Sequence, residues 1–299
     1  MCGIVGLLVH DPALEAHLGL HFSAMLEEMT TRGPDSAGMA IYDRGVPKGS
    51  RRWSLRGDGD STNWKAVQSA VDSSSGTSSD IEIIDNIAFL VTAAGEAAVL
   101  EGLKHAAAER ITVVGVGHAM KLIKDVGLPR EICEHYGVGS MSGYMALGHT
   151  RMATESAVTT DGAHPFSPRN DLALVHNGSF SNHASIRRQL FDAGVECLTD
   201  NDTEVAAQFI GHRMELGDDL EEAMRHVLKE FDGFFTLVVT AERSFSVVRD
   251  AFACKPMVIA ETDAYVAVAS EYHALASLPG IDDARVFEPQ PEEIHTWTV

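Results

Sequence analysis

A chain of 299 residues, 45% hydrophobic and 22% charged, has room for one large domain or two small ones and enough apolar material for a sizeable core. Its 43 acidic residues against 23 basic ones give a formal net charge of -20. That excess argues against the nucleic-acid backbone or an anionic membrane surface as partner, since both need a basic footprint. The four cysteines, Cys2, Cys133, Cys197 and Cys254, form no CxxC pair and no zinc spacing with histidine, so neither a metal site nor a disulfide scaffold is expected.

The N-terminus has no basic stretch before its apolar run, and His10 and Asp11 break that run. It reads as neither a signal peptide nor a membrane span, and the expected compartment is the cytoplasm. Residues 4–9 are apolar and β-branched-rich, and predict a buried strand. Apolar spacing over 14–29 is helical, and Gly33-Pro34 stops it. Residues 36–42 read as a second strand. The composition then changes, and the serine-rich run 73–79 reads as a linker. A strand at 87–92, an Ala-rich helix at 96–110 and a strand at 111–116 follow. Residues from about 47 to 140 are expected to form an inserted subregion.

Strands return from Tyr144, with 172–175 the clearest. Residues 181–193, 203–216 and 220–231 have helical spacing. The apolar runs 234–240, 245–249, 257–260 and 264–269, joined by tight polar links, predict an antiparallel meander. Helices and strands segregate instead of alternating, so the expected class is α+β, layered, without a Rossmann crossover. The sequence holds no internal repeat and neither GxGxxG nor GxxxxGK.

Cys2 directly follows the initiator methionine. If Met1 is removed, thiol and α-amine lie on one residue. An α-amine with a pKa of about 8 can take the thiol proton and later give it to a leaving amine, so nucleophile and base need no separate histidine. By itself Cys2 also fits a small buried hydrophobe. Further along stand Arg32-Gly33-Pro34-Asp35-Ser36-Ala37-Gly38, Gly148-His149-Thr150-Arg151, His164-Pro165-Phe166, His176-Asn177-Gly178 and Asp202-Thr203-Glu204. Asn-Gly after an apolar run is a hairpin-turn signal, and Asp202 or Thr203 could cap the helix that starts there.

Together with Met-Cys-Gly-Ile-Val-Gly at residues 1–6, and in this order, these motifs resemble the class II glutamine amidotransferases, members of the N-terminal nucleophile hydrolases. The resemblance implies a four-layer αββα sandwich of two antiparallel sheets over residues 1–299, with the insertion inside it. It implies Cys2 as nucleophile, with the Asn177 side chain and the Gly178 N–H donating to the oxyanion. Arg151 would fork onto the α-carboxylate of glutamine. Asp202 would bind its α-ammonium. Thr154 would contact glutamine, and His164 would lie in the loop that lines or covers the pocket. Arg32, Gly33 and Asp35 would form a supporting loop near the nucleophile. The sequence departs from many relatives at Met152, where they carry an aromatic residue, and at Glu155, where several carry histidine.

The chain ends near Val299, which leaves no length for a synthase domain, so the synthase is expected on another chain. The length, the insertion and the run 149–157 most resemble the amidotransferase subunits of split, glutamate synthase-like systems, N-methylglutamate synthases above all. That resemblance implies a hetero-oligomer. Other glutamate synthase-like subunits would carry FMN and an iron–sulfur cluster, and this chain would carry no cofactor. Two alternatives stay open. One is a structural or regulatory subunit with little glutaminase activity. The other is a different N-terminal nucleophile hydrolase, such as an amide acylase, against which Arg151 and Asp202 argue.

Overall fold

A computed structural model describes residues 2–59, 62–106, 110–152 and 158–299. Its larger sheet has seven antiparallel strands. At its centre lies β1 (Gly3–Val9), flanked by β13 (Tyr265–Ala269) and β8 (Met145–Arg151). Beyond β8 come β2 (Ser36–Tyr42) and β7 (Met120–Val126); beyond β13 come β12 (Val258–Glu261) and β14 (Arg285–Phe287). The smaller sheet runs β15 (Ile294–Thr298), β11 (Ser244–Arg249), β10 (Gly233–Ala241), β9 (Ala173–Phe180).

The alternation of side chains along a strand explains the layering. Ile4 and Leu8 of β1 point inward, joining Leu147, Val175, Val238 and Val247 between the two sheets. Val5, Leu7 and Val9 point outward, against Phe22 and Met25 of α2 (Leu18–Glu28) and Ile132 of α5 (Pro129–His135). On the far side, Leu174, Leu237 and Val248 pack against α6 (His183–Asp192), α7 (Asp202–Glu215) and α8 (Leu220–Glu230). Helix α8 starts at an Asp219–Glu222 capping box and buries Leu220, Ala223, Met224 and Val227, the i, i+3, i+4, i+7 stripe that its sequence encodes. The result is the expected α+β sandwich of four layers, αββα.

A third sheet has the order β4-β5-β3-β6. Its strands are β3 (Arg51–Arg56), β4 (Asp80–Ile84), β5 (Ile87–Thr92) and β6 (Thr112–Gly117), with helices α3 (Trp64–Ser75) and α4 (Glu96–His105). This is a βαββαβ unit with a core of its own, built on Trp53, Leu55, Trp64, Val67, Leu90 and Val99. Within 47–140, β3 to β6 form this sheet, whereas β7 pairs with β2 in the larger sheet and α5 packs on that sheet's outer face. In β7, Leu122 and Ile123 are fully buried. The Asp171 carboxylate accepts from the amides of His118, Ala119 and Met120, tying the return from the unit to the start of β9.

Three local expectations are corrected. The serine run is no linker: α3 continues through Ser75, Gly76 closes it in the left-handed conformation, and Ser74 Oγ donates to Ala98 O of the neighbouring helix. The helix expected over 14–29 is divided into α1 (Pro12–Glu15), capped by Asp11, and α2. The expected meander is two hairpins in different sheets, β10–β11 in the smaller and β12–β13 in the larger. Turn signals mark a hairpin without saying which sheet it joins. No helix among the described residues is long and apolar enough to cross a membrane.

Candidate active site

Cys2 stands one residue before β1 and is partly exposed. Gly3 pairs with Thr150, so the end of β8 lies beside Cys2 on one flank. On the other flank Ile4 N donates to Ser270 Oγ at 3.0 Å, and Ser270 N donates to Ile4 O at 2.9 Å. The Cys2 carbonyl accepts twice: from Arg32 Nε at 2.9 Å and from Asn177 Nδ2 at 3.2 Å. Arg32 is buried, and its Nη1 pairs with Glu271 Oε1 at 2.5 Å. Ser270 and Glu271 carry no sequence signal of their own. They follow a short apolar strand, and only the pairing of β13 with β1 brings them here.

The supporting loop is laid on the end of β8. Asp35 N donates to Arg151 O at 3.1 Å. A Cβ on Gly33 would fall 2.4 Å from the Thr150 carbonyl carbon, so any side chain there would push the strand end away. Arg151 is buried, with its guanidinium beside Gly162, where an added Cβ would come within 3.5 Å of Nη1. Met152 is exposed. Thr154 and Glu155 lie outside the described residues.

Asn177 and Gly178 form no turn. They sit within β9, opposite Thr236 and Phe235 of β10. The apolar run does not end at Val175; it resumes at Phe180, and β10 supplies a partner along the whole length. Gly178 has φ +147, and a Cβ there would meet Phe234 O at 2.0 Å, so glycine is required by both conformation and space. Asn177 thereby reaches Cys2 from the opposite sheet.

Asp202 is the first residue of α7 and not its cap. Asn201 is the cap, its side chain accepting from Thr203 N at 2.9 Å. The Asp202 carboxylate accepts instead from Phe180 N at 3.0 Å, just beyond Gly178 on β9, and from Thr203 Oγ1 at 3.3 Å. His164 is buried, with Nε2 2.8 Å from Thr203 Oγ1. His176 Nδ1 lies 2.9 Å from the same oxygen, and His149 Nε2 donates to His176 O at 3.0 Å. Burial holds all three imidazoles neutral. It lowers His149 to about 3 and His164 well below the usual range. Burial also lowers His176 to about 4, against the opposing pull of the Asp202 charge. His149 and His176 were present in the sequence motifs, but nothing in their spacing pointed to a shared cluster.

Among the described residues no three His, Cys, Asp or Glu side chains are grouped to hold a metal ion. Cys2, Arg32, Arg151, Asn177 and Asp202 thus come together at one end of the sandwich, where the two sheets meet the start of α7.

The fold is that of an amidotransferase. Residues 135–289 match the family described as the glutamine amidotransferase domain, a stretch that includes Arg151, Asn177, Gly178 and Asp202 and leaves out Cys2 and Arg32. The chain belongs to the class II glutamine amidotransferases, with the N-terminal nucleophile hydrolase fold. It is 44% identical to the glutamine amidotransferase-like protein GlxB of Rhizobium meliloti, over 99% of this chain and 98% of that one. It is 31% identical to a putative glutamine amidotransferase of Methanothermobacter thermautotrophicus over the full length of both. Among solved structures, the glutamine phosphoribosylpyrophosphate amidotransferase of B. subtilis superposes with a TM-score of 0.63 at 20% identity, covering 99% of this chain. This chain spans 47% of the length of that protein, and the likeness is one of fold.

Proposed function

We propose that the protein hydrolyses glutamine at Cys2 and delivers the ammonia to a synthase on another chain. The observation that carries this reading is the pair of contacts made by Asn177 and Arg32 to the Cys2 carbonyl, at the sheet end where Arg151 and Asp202 also lie. With Met1 removed, the Cys2 α-amine takes the thiol proton, and the sulfur attacks the side-chain amide carbon of glutamine. Negative charge forms on the amide oxygen, and the Asn177 side chain with the Gly178 N–H stabilises it. The α-ammonium of Cys2 then protonates the departing nitrogen, and ammonia leaves a γ-glutamyl thioester. Water, deprotonated by the same amine, hydrolyses the thioester to glutamate and restores the thiol. Arg151 holds the α-carboxylate, Asp202 the α-ammonium, and Thr154 adds a contact to glutamine. Arg32, Gly33 and Asp35 hold the nucleophile's backbone against β8 and take no part in bond making.

The partner we propose is a set of glutamate synthase-like subunits in a hetero-oligomer, as in an N-methylglutamate synthase, with FMN and an iron–sulfur cluster on those chains. Free ammonia diffuses away, so a glutaminase of this kind gains from a neighbour that consumes it. Ammonia and glutamate release by the purified protein and by Cys2→Ala tests the catalytic part: activity abolished by the substitution supports it, and equal rates contradict it. Native purification tests the partner. A co-purifying flavoprotein supports the assignment, and a protein isolated with no flavoprotein attached contradicts it.

A further inference from the structure

We infer that Thr203, held between His164 and His176, is a positioning residue that aims the Asp202 carboxylate at the ammonium of the substrate. The inference rests on the proposed role of Asp202 and assigns a different part to His164, behind the pocket instead of in it.

The hydrogen positions follow from which atoms have partners. In this cluster three imidazole nitrogens have none: His149 Nδ1, His164 Nδ1 and His176 Nε2. The other three are each placed against an oxygen. His149 Nε2 faces the His176 carbonyl, which can only accept, so that nitrogen carries a proton. Thr203 Oγ1 meets His164 Nε2, His176 Nδ1 and Asp202 Oδ1. A carboxylate only accepts, so the single Thr203 proton goes to Asp202. The two lone pairs of the hydroxyl then accept from His164 Nε2–H and His176 Nδ1–H. One arrangement uses every available group: all three imidazoles neutral, each with its proton on the nitrogen that has a partner. An added proton on His164 or His176 would sit on a buried nitrogen facing nothing.

The consequence is directional. Two imidazoles saturate the acceptor side of the hydroxyl, so its proton has one destination. Asp202 is then fixed on Oδ1 by Thr203 and on Oδ2 by the Phe180 amide at 3.0 Å. The same rings are packed rigidly: His149 and His164 lie 4.1 Å apart between centroids, and His176 stacks on Phe180 at 4.5 Å. His176 also directly precedes Asn177 in β9. One cluster thus sets both the anion that receives the ammonium and the strand that presents the amide donor.

The test uses the full chain carrying Cys2→Ala, which binds without turnover, and two ligands measured by calorimetry. One is glutamine; the other is glutaramate, which keeps the carboxylate and the amide and has hydrogen in place of the ammonium. Thr203→Val is expected to remove about tenfold or more of the preference for glutamine, the scale of one hydrogen bond to a charged group, with glutaramate binding unchanged. Thr203→Ser is expected to restore the preference. Asp202→Asn separates the two levels. If it leaves the preference intact, or if the parent shows none or binds neither ligand, the role of Asp202 falls and the inference with it. If it abolishes the preference while Thr203→Val keeps it, the inference alone is wrong. A measurement needing no further variant is the nitrogen NMR of the imidazoles near neutral pH. Neutral Nε2–H forms for His149 and His164 and a neutral Nδ1–H form for His176 are expected. The opposite tautomer at His164 or His176, or a charged ring, overturns the inference.

Discussion

Asn177 Nδ2 lies 3.2 Å from the carbonyl oxygen of Cys2, although the two residues belong to different sheets and are 175 positions apart. The contact requires the sheets to be stacked so that β9 ends over the start of β1. The inward-facing set of Ile4, Leu8, Val175 and Val238 does this. Asn177→Ala removes a donor at the position where the oxyanion would form. A fall in kcat of about a hundredfold or more is expected, with a smaller change in KM. Steady-state glutaminase kinetics check it, and an unchanged kcat would remove Asn177 from the reaction.

Arg32 acts on the backbone of Cys2. Its guanidinium bonds Cys2 O through Nε and Glu271 through Nη1, a fork that lysine cannot reproduce. Arg32→Lys is expected to cost about 1–3 kcal/mol of stability and to lower kcat at least several-fold. Denaturant unfolding alongside the assay separates the two effects. A variant with native stability and native rate would show that the fork is dispensable.

At Gly33 the limit is steric. A methyl group there would fall 2.4 Å from the Thr150 carbonyl carbon, and the neighbouring residue is Arg151. Gly33→Ala is expected to cost about 1–3 kcal/mol, as overpacking does, and to raise KM for glutamine through displacement of Arg151. A native melting temperature with native KM would contradict this placement.

The histidine cluster sets an acid limit on stability. An unfolded imidazole takes its proton near 6.5, whereas burial delays protonation in the folded protein to about 4 for His176 and about 3 for His149. Across that window the unfolded chain binds more protons, so stability is full above about pH 6.5 and falls as the pH is lowered. The slope is about 1.4 kcal/mol per pH unit for each histidine inside its window. Urea unfolding at pH 7 and pH 5 is expected to show a clear drop, and equal stability at both would mean that these rings are not buried neutral.

Much of the fold was legible because burial leaves periodicity in the sequence. The strand at 36–42 and the helix at α8 fall where the pattern put them. The misses share a cause. Segments 51–56 and 120–126 carry Arg, Lys and Asp on strands, so no apolar run announced β3 and β7. Their charges are accommodated by particular partners, such as Asp43 for Arg52. The Asn-Gly pair at 177–178 has the composition of a turn, and the neighbouring strand overrides it. At the site, short motifs pointed to Cys2, Arg151, Asn177 and Asp202. Glu271 and Ser270 were silent, because their place comes from strand pairing, and Thr203 stood in a motif and read only as a possible helix cap, because a hydroxyl shared by two histidines is encoded by no local spacing.

The central claim is that Cys2, as the first residue, is the nucleophile. Intact mass of the purified protein, before and after reaction with a diazoketone analogue of glutamine, tests it most directly. The expected result is a chain lacking Met1 that gains one adduct on Cys2, blocked by excess glutamine. Retained Met1, or an adduct on Cys133, Cys197 or Cys254 in its place, would contradict it.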